Sequence, residues 1–131
     1  MTRLLPKLLL LMLSAMVALP GHAENELAGY WQHESDPVWI EMQPGSGQGI
    51  MVRSDNRPDR VGFLVVTDLE ASDEPNEWSA QVFAARFGEH RKATITLPAD
   101  DRMVFTVKVG FMRRSVEWQR VSEVPPATDD E

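Results

Sequence analysis

From about residue 29 onward, apolar and polar side chains alternate one by one, which is the pattern of half-buried β-strands. Ala93, Ile95 and Leu97, for example, are separated by Thr94 and Thr96. No comparable stretch has the 3.6-residue period of an amphipathic helix. The predicted strands cover residues 29–33, 38–43, 50–53, 62–69, 78–84, 92–97, 102–109 and 114–120. The chain is therefore predicted to be all-β.

Turn-forming segments separate these strands at intervals of roughly 12 residues. Such short connections favour sequential hairpins, because a Greek key needs a long crossing. Eight strands also form a barrel whose interior is just filled by side chains or holds one small ligand. Closing the sheet removes its exposed edges. We predict a small antiparallel up-and-down barrel of about eight strands, with a two-sheet sandwich as the alternative.

The first 23 residues have the layout of a cleavable signal peptide. Arg3 and Lys7 give a positively charged start, residues 8–19 are apolar apart from one serine, and Gly21 and Ala23 provide the small residues of a cleavage site. The apolar run is too short to cross a bilayer, which takes about 20 residues. We predict a periplasmic or secreted protein that does not span the membrane after cleavage.

Cleavage would leave 108 residues, the size of one domain. We assign residues 24–121 to the barrel and the Pro-rich acidic residues 122–131 to a disordered tail. The released chain would carry 11 basic and 20 acidic residues, a formal net charge of −9. That charge argues against nucleic acid or anionic lipid as the main partner, because both bind basic surfaces. The chain has no cysteine, so neither a disulfide nor a lipid-modified cysteine is available.

Two short motifs lie at the two ends of the strand pattern. Gly29 and Trp31 begin the first strand, and Trp118 and Arg120 lie on the last. In a closed meander these two strands are neighbours, so an arginine guanidinium can stack on a tryptophan ring at one end. This arrangement resembles the signature of lipocalin-like (calycin) barrels. We predict that these four residues close one end of the barrel.

A longer resemblance covers most of the released chain. Residues 95–121, ITLPADDRMVFTVKVGFMRRSVEWQRV, are similar to the C-terminal half of the DUF2147 family, and residues 29–31 and 62–64 and Trp78 extend the similarity. That family implies an exported bacterial protein of lipocalin-like fold and uncharacterised function. It supplies no catalytic residues. Residues 84–91 depart from the family pattern, and only Gly88 there matches it clearly.

Other side chains are candidates for binding. Phe63, Trp78 and Phe105 are expected to line either a ligand cavity or the core. Arg113 and Arg114 form a small basic bend that is a candidate contact for an anion or an acidic partner. We predict no catalytic residues, no metal ligands and no cofactor, because the two histidines that remain after cleavage are far apart and lack an adjacent nucleophile.

These features predict a non-catalytic exported barrel that binds a small apolar or amphipathic ligand. The alternative is a cell-envelope protein that binds another protein through its outer face. Trp39 and Phe83 favour that alternative, since both are expected to be exposed on polar faces. No nucleic acid partner is expected.

Overall fold

Eight antiparallel strands form one closed barrel in the computed structural model, which describes residues 26–126. Each strand pairs with the next, and β1 pairs with β8. The strands are β1 (Gly29–His33), β2 (Val38–Gln43), β3 (Gln48–Ser54), β4 (Leu64–Ala71), β5 (Glu77–Ala84), β6 (Glu89–Ala99), β7 (Arg102–Val109) and β8 (Met112–Val121). The predicted up-and-down barrel is confirmed, and the sandwich alternative is excluded by the pairing of β1 with β8.

The alternation of side chains accounts for the strand faces. In β5, Trp78, Ala80 and Val82 are buried inside, while Ser79 is exposed outside. The only helical segments among residues 26–126 are two short 3-10 turns, Pro44–Ser46 and Pro58–Arg60. Within the same residues, no helix combines the length and the hydropathy needed to span a bilayer.

The strand bounds differ from the prediction mainly at β4 and β6. Gly62 and Phe63 belong to the connection before β4, because Gly62 has a left-handed φ of 93° and breaks the extended backbone. The backbone there still bonds to β3, through Met51 N–H to the Phe63 carbonyl and Gly62 N–H to the Met51 carbonyl. Strand β6 continues through Pro98 to Ala99, past a register shift between Thr96 and Ala99.

An up-and-down barrel gathers its connections at two ends. We call the open end the one that carries the connections after β1, β3, β5 and β7, which are residues 34–37, 55–63, 85–88 and 110–111. The closed end carries the connections after β2, β4 and β6, which are residues 44–47, 72–76 and 100–101. The chain also enters β1 and leaves β8 at the closed end.

The two terminal predictions fall largely outside this structure. The signal peptide, residues 1–23, lies outside the described residues and stays a prediction. The predicted tail is described only as far as Pro126. There the Pro125 and Pro126 carbonyls accept hydrogen bonds from Arg53 at 2.6 and 3.0 Å on the outer face of β3.

Candidate ligand-binding cavity

The barrel interior is divided into a filled part and a hollow part. The filled part is built from side chains that are almost completely buried: Leu27, Trp31, Ile40, Met42, Val66, Trp78, Ile95 and Met103. None of these eight side chains lines the cavity described next. The filled part therefore serves packing, as expected for a barrel of this strand number.

The hollow part is a cavity of about 450 Å³ that opens at the open end. Its wall is mostly aliphatic and aromatic, and includes Val38, Met51, Val65, Val82, Phe105, Val107, Val109, Val116 and Trp118. These residues lie on six of the eight strands, so the cavity is set inside the barrel and not on its surface. A volume of this size falls within the ~300–1,000 Å³ typical of small-molecule sites.

Four arginines line the mouth of the cavity: Arg57, Arg60, Arg86 and Arg114. Asp36 is the single carboxylate among the lining residues. The apolar wall is thus combined with a cationic mouth, although the whole chain is acidic. An anionic group at the mouth would be attracted by this local charge.

The charge of Arg57 is already partly compensated. Its guanidinium donates two hydrogen bonds to Asp59, at 3.1 and 2.9 Å, and these hold the pKa of the Asp59 carboxyl below its ordinary value. Among residues 26–126, no carboxylate oxygen lies within 4.0 Å of the guanidinium nitrogens of Arg60, Arg86 or Arg114. Of the four mouth arginines, these three form no ion pair among the described residues, although the charge of Arg60 contributes to the lowered pKa of Asp59.

The long connection between β3 and β4 places Arg57 and Arg60 at the mouth. Ser54, which is buried, accepts a hydrogen bond from the Arg57 backbone N–H at 3.1 Å. Pro58 then begins a 3-10 turn, which suits a residue with a fixed φ and no N–H to donate. The Arg60 guanidinium lies 5.3 Å from the centre of the Phe83 ring, which orients it by a cation–π contact.

Arg120 and Trp31 come together at the closed end. The Arg120 guanidinium lies 4.3 Å from the centre of the Trp31 ring. It donates hydrogen bonds to the carbonyls of Asp100, Ala28 and Glu26 at 2.8, 2.9 and 2.6 Å. The guanidinium therefore ties the start of the barrel to the β6–β7 connection and covers the tryptophan.

Gly29 makes room for this guanidinium. Its φ is 124°, a conformation that residues with a side chain rarely adopt. A Cβ at this position would lie 3.3 Å from an Arg120 guanidinium nitrogen. Gly29 and Arg120, which the sequence predicts to act together at one end of the barrel, are thus in close proximity.

Trp118 is not part of that cluster. Inward-facing residues on β8 are two apart, so Trp118 lies one layer deeper than Arg120 and pairs with His33 instead of Trp31. Its ring lies 5.4 Å from Phe105 and 5.1 Å from His33, and it lines the cavity. Three of the four predicted closure residues therefore meet at the closed end, and the fourth forms part of the cavity wall.

The other predicted residues fall in different places. Phe105 lines the cavity, and Trp78 is buried in the filled part. Phe63 is partly buried against the core, but its ring packs edge-to-face with Phe83, with the ring centres 4.8 Å apart, and it does not line the cavity.

The two arginines of the predicted basic bend also separate. Arg114 points to the cavity mouth, whereas Arg113 pairs with Lys108 on the outer face of the β7–β8 hairpin. The single bend thus contributes to two surfaces.

The expected exposure of Trp39 is wrong. Its side chain is only 6% exposed, because the Arg53 guanidinium lies 4.5 Å from its ring centre. Arg53 is itself fixed by Asp55 and by the carbonyls of Pro125 and Pro126. Phe83 is partly buried by Phe63 and Arg60. These aromatics therefore offer little free surface to a protein partner.

Sequence reasoning missed Arg57, Arg60 and Arg86 as mouth residues. The signal was present in the order of the connections. In a meander, alternate connections meet at the same end, and the connections after β3 and β5 contain these three arginines. The connection after β7 belongs to the same end, so this rule places the three arginines near the bend at Arg114.

Within residues 26–126, the histidines and carboxylates form no group of three that could hold a metal ion. No family model, curated protein or solved structure matches the chain in the comparisons with known proteins. The resemblance to the DUF2147 family accordingly stays a prediction.

Proposed function

We propose that this protein binds one small amphipathic anion, with the apolar chain of the ligand inside the barrel and the acidic group at the arginine mouth. The observation that carries the proposal is the combination of an apolar cavity of about 450 Å³ with a mouth that has four arginines and one carboxylate. A purely apolar ligand would leave the mouth charges without a role.

The size of the cavity limits the ligand. A water-sized group takes about 30 Å³, so the cavity corresponds to on the order of 15 non-hydrogen atoms. A medium-chain fatty acid such as dodecanoate fits this size, with its carboxylate reaching the mouth. Burial of each methylene would contribute about 0.8 kcal/mol to binding.

The charge of the mouth selects the head group. Arg60, Arg86 and Arg114 have no carboxylate partner among the described residues, and an arginine fork binds a carboxylate or a phosphate with two hydrogen bonds. Hydrogen bonds to charged groups contribute about 1.5–3 kcal/mol each, which corresponds to roughly 10- to 100-fold in affinity. An anionic amphiphile should therefore bind at least about tenfold more tightly than a neutral one of equal chain length.

Titration calorimetry with dodecanoate, dodecanol and dodecylamine tests the proposal directly. We expect the order of affinity to be dodecanoate, then dodecanol, then dodecylamine. The triple variant Arg60→Gln, Arg86→Gln, Arg114→Gln should bind dodecanoate and dodecanol equally. Arg102→Gln is the matched control, because Arg102 lies on the outside of β7 and pairs with Glu117.

Equal affinity of the unmodified protein for dodecanoate and dodecylamine would overturn the anionic selectivity. Absence of binding for all three compounds would overturn the carrier function itself. Native mass spectrometry of protein purified from its producing cell adds an independent readout, since a co-purified acidic amphiphile would appear as added mass.

The proposed setting is outside the cytoplasm, and it rests on the predicted signal peptide at residues 1–23. We propose a binding role and no catalysis. Ser54 and His33 are among the lining residues, but the Ser54 hydroxyl accepts a hydrogen bond from the Arg57 backbone N–H, and His33 Nδ1 accepts from the backbone N–H groups of Ser35 and Asp36. The two side chains therefore form no nucleophile–base hydrogen bond with each other. Sequencing the N-terminus of the exported protein tests the first point; a chain that still begins at Met1 would contradict it.

A further inference from the structure

The large exposed apolar side chains of the described residues all lie at the open end: Val61, Phe87, Phe111 and Met112. Phe111 is fully exposed at the tip of the β7–β8 hairpin, followed by Met112 at 57% exposure. Val61 lies on the connection after β3 and Phe87 on the connection after β5. The connections of the closed end contribute none of these side chains.

Basic residues accompany each of these apolar side chains. Arg60 precedes Val61, and the Arg91 guanidinium lies 4.2 Å from the centre of the Phe87 ring. Across the β7–β8 hairpin, Lys108 pairs with Arg113 close to the Phe111 tip. Nine of the 11 lysines and arginines among residues 26–126 lie in the open-end connections or in the adjoining halves of the strands: Arg53, Arg57, Arg60, Arg86, Arg91, Lys92, Lys108, Arg113 and Arg114. Arg53, Arg57 and Arg91 are ion-paired with Asp55, Asp59 and Glu89, so six of the nine have no carboxylate partner within 4.0 Å among these residues.

The β7–β8 hairpin extends past its neighbour. Strand β8 begins at Met112, but its pairing with β1 covers only Trp118 to Val121. The acidic β1–β2 connection, with Glu34 and Asp36, therefore lies lower on the barrel than the Phe111 tip. The part that projects furthest along β8 is both apolar and basic.

We propose that the open end docks on the surface of an anionic phospholipid bilayer. In this arrangement Phe111, Met112, Phe87 and Val61 enter the headgroup region, and the neighbouring arginines and lysines contact lipid phosphates. Apolar side chains combined with basic ones are what binds the interface of an anionic membrane. The cavity mouth lies among the same connections, so it would face the lipid.

The negative charge of the chain is not concentrated at the open end. The open-end connections hold four carboxylates, but Asp55 and Asp59 are ion-paired with arginines, and the other two lie on the lower β1–β2 connection. All four charged residues in the closed-end connections are acidic: Asp73, Glu74, Asp100 and Asp101. They lie at the far end of strands such as β5, whose eight residues span on the order of 25 Å. At physiological salt the Debye length is about 8 Å, so a membrane at the open end is largely screened from them. The resulting charge asymmetry orients the molecule with its mouth toward the anionic surface.

The arrangement favours lipid over a protein partner. Protein-binding surfaces usually present one contiguous apolar patch. Here the exposed apolar side chains come from three separate segments of the open end, and the Arg91 guanidinium covers one face of the Phe87 ring. Separate apolar side chains can insert into a bilayer, because a bilayer is fluid and binding to it does not require a complementary shape.

This inference goes beyond the proposed function and does not depend on it. Only one consequence rests on the proposed function, namely that an acidic amphiphile would pass between the bilayer and the cavity without crossing water.

Vesicle flotation tests the docking. The protein as recovered from its producing cell is mixed with vesicles of phosphatidylcholine alone or with vesicles in which about a third of the lipid is anionic phosphatidylglycerol. We expect flotation with the anionic vesicles, falling as salt rises. The double variant Phe111→Ser, Met112→Ser should bind at least about tenfold more weakly. Arg113→Gln should bind about fivefold more weakly. All variants share one N-terminus, so its contribution is common to them.

Arg102→Gln at the other end of the barrel is the matched control and should float like the unmodified protein. Dodecanoate affinity in solution should be unchanged in the Phe111→Ser, Met112→Ser variant, which separates docking from ligand binding. Equal flotation with both vesicle types, or equal flotation of the Phe111→Ser, Met112→Ser variant, would overturn the proposal. The proposal would also be overturned if the unmodified protein did not bind vesicles and instead formed a self-association or protein contact that the double variant lost.

Discussion

The two ends of this barrel are built from the same eight strands and differ in almost every other respect. At the closed end, Arg120 covers Trp31, and its donors are taken by three backbone carbonyls. At the open end, Arg60, Arg86 and Arg114 surround a cavity, and no carboxylate among residues 26–126 pairs with them. Arginine thus stabilises the fold at the closed end, whereas at the open end it provides positive charges without an ion-pair partner.

The difference shows how a small barrel separates stability from binding. A filled layer gives dispersion contacts and removes apolar area from water. In the hollow part the side chains lack those contacts with one another, so their apolar surfaces are available to a ligand. The chain has no disulfide to offset that loss, so the filled part must carry most of the stability.

The largest expected effect is at the closed end. Trp31→Ala removes a completely buried ring, and we expect the free energy of unfolding to fall by about 3–5 kcal/mol. For a domain of this size that lowers Tm by more than about 12 °C. Thermal denaturation followed by circular dichroism measures it. Arg120→Ala should act in the same direction, and an unchanged Tm in both variants would contradict the closure role.

Enlarging a side chain should affect the free energy of unfolding differently in the filled part and in the hollow part of the interior. Val66→Phe enlarges a side chain in the filled part, where Val66 already lies 3.0 Å from the Cβ position of Gly49. We expect a loss of about 1–3 kcal/mol in unfolding free energy. Val116→Phe enlarges a side chain at the cavity wall, so its stability should be equal or higher while dodecanoate affinity is lost.

Urea denaturation and calorimetry measure the two quantities on the same samples. If Val116→Phe destabilised the protein as much as Val66→Phe, the interior would be filled at both ends and the comparison would fail.

Glycine substitutions at the two ends should lower the free energy of unfolding by different amounts. Gly29→Ala forces a side chain into a φ of 124° and against Arg120, and we expect a loss of about 2–3 kcal/mol. Gly110→Ala at the open end has a φ of 65° and nothing within 4 Å, so only the left-handed conformation costs about 1 kcal/mol. Equal losses, measured by chemical denaturation, would mean that Arg120 does not constrain Gly29.

The smallest expected effect concerns acid pH. Hydrogen bonds from Arg57 lower the pKa of Asp59, so this pair stabilises the folded state above the ordinary carboxyl pKa of about 3.9. The contribution is lost as pH falls through the lowered pKa. The Tm of Asp59→Asn should therefore lie slightly below that of the unmodified protein at pH 7 and match it once the pH has fallen below the lowered pKa of Asp59.

Asp73→Asn, in the closed-end β4–β5 connection, is the control, because no ion pair of Asp73 is present among the described residues. A Tm difference for Asp59→Asn that persists unchanged at pH 2 would contradict the assignment to ionisation.

Much of the closed end could be predicted from the sequence. Gly29, Trp31 and Arg120 lie on the first and last strands, and closure of a meander makes those strands neighbours. The position of Trp118 cannot be predicted in the same way. Its distance of two residues from Arg120 gives the same face but a different layer, and layer depends on strand tilt and register shifts such as the one at Trp39 and Ile40.

Alternation and turn spacing by themselves determined the number of strands and which side chains face inward, because a period of two is a local property of the backbone. Closure into a barrel and not a two-sheet sandwich was decided by the pairing of β1 with β8. Tertiary structure alone decided which part of the interior is filled and which is hollow. It also decided which arginines stay free, since Arg53 covers Trp39 while Arg114 faces the cavity mouth. Those outcomes depend on distances across the closed barrel, and local patterns carry no information about such distances.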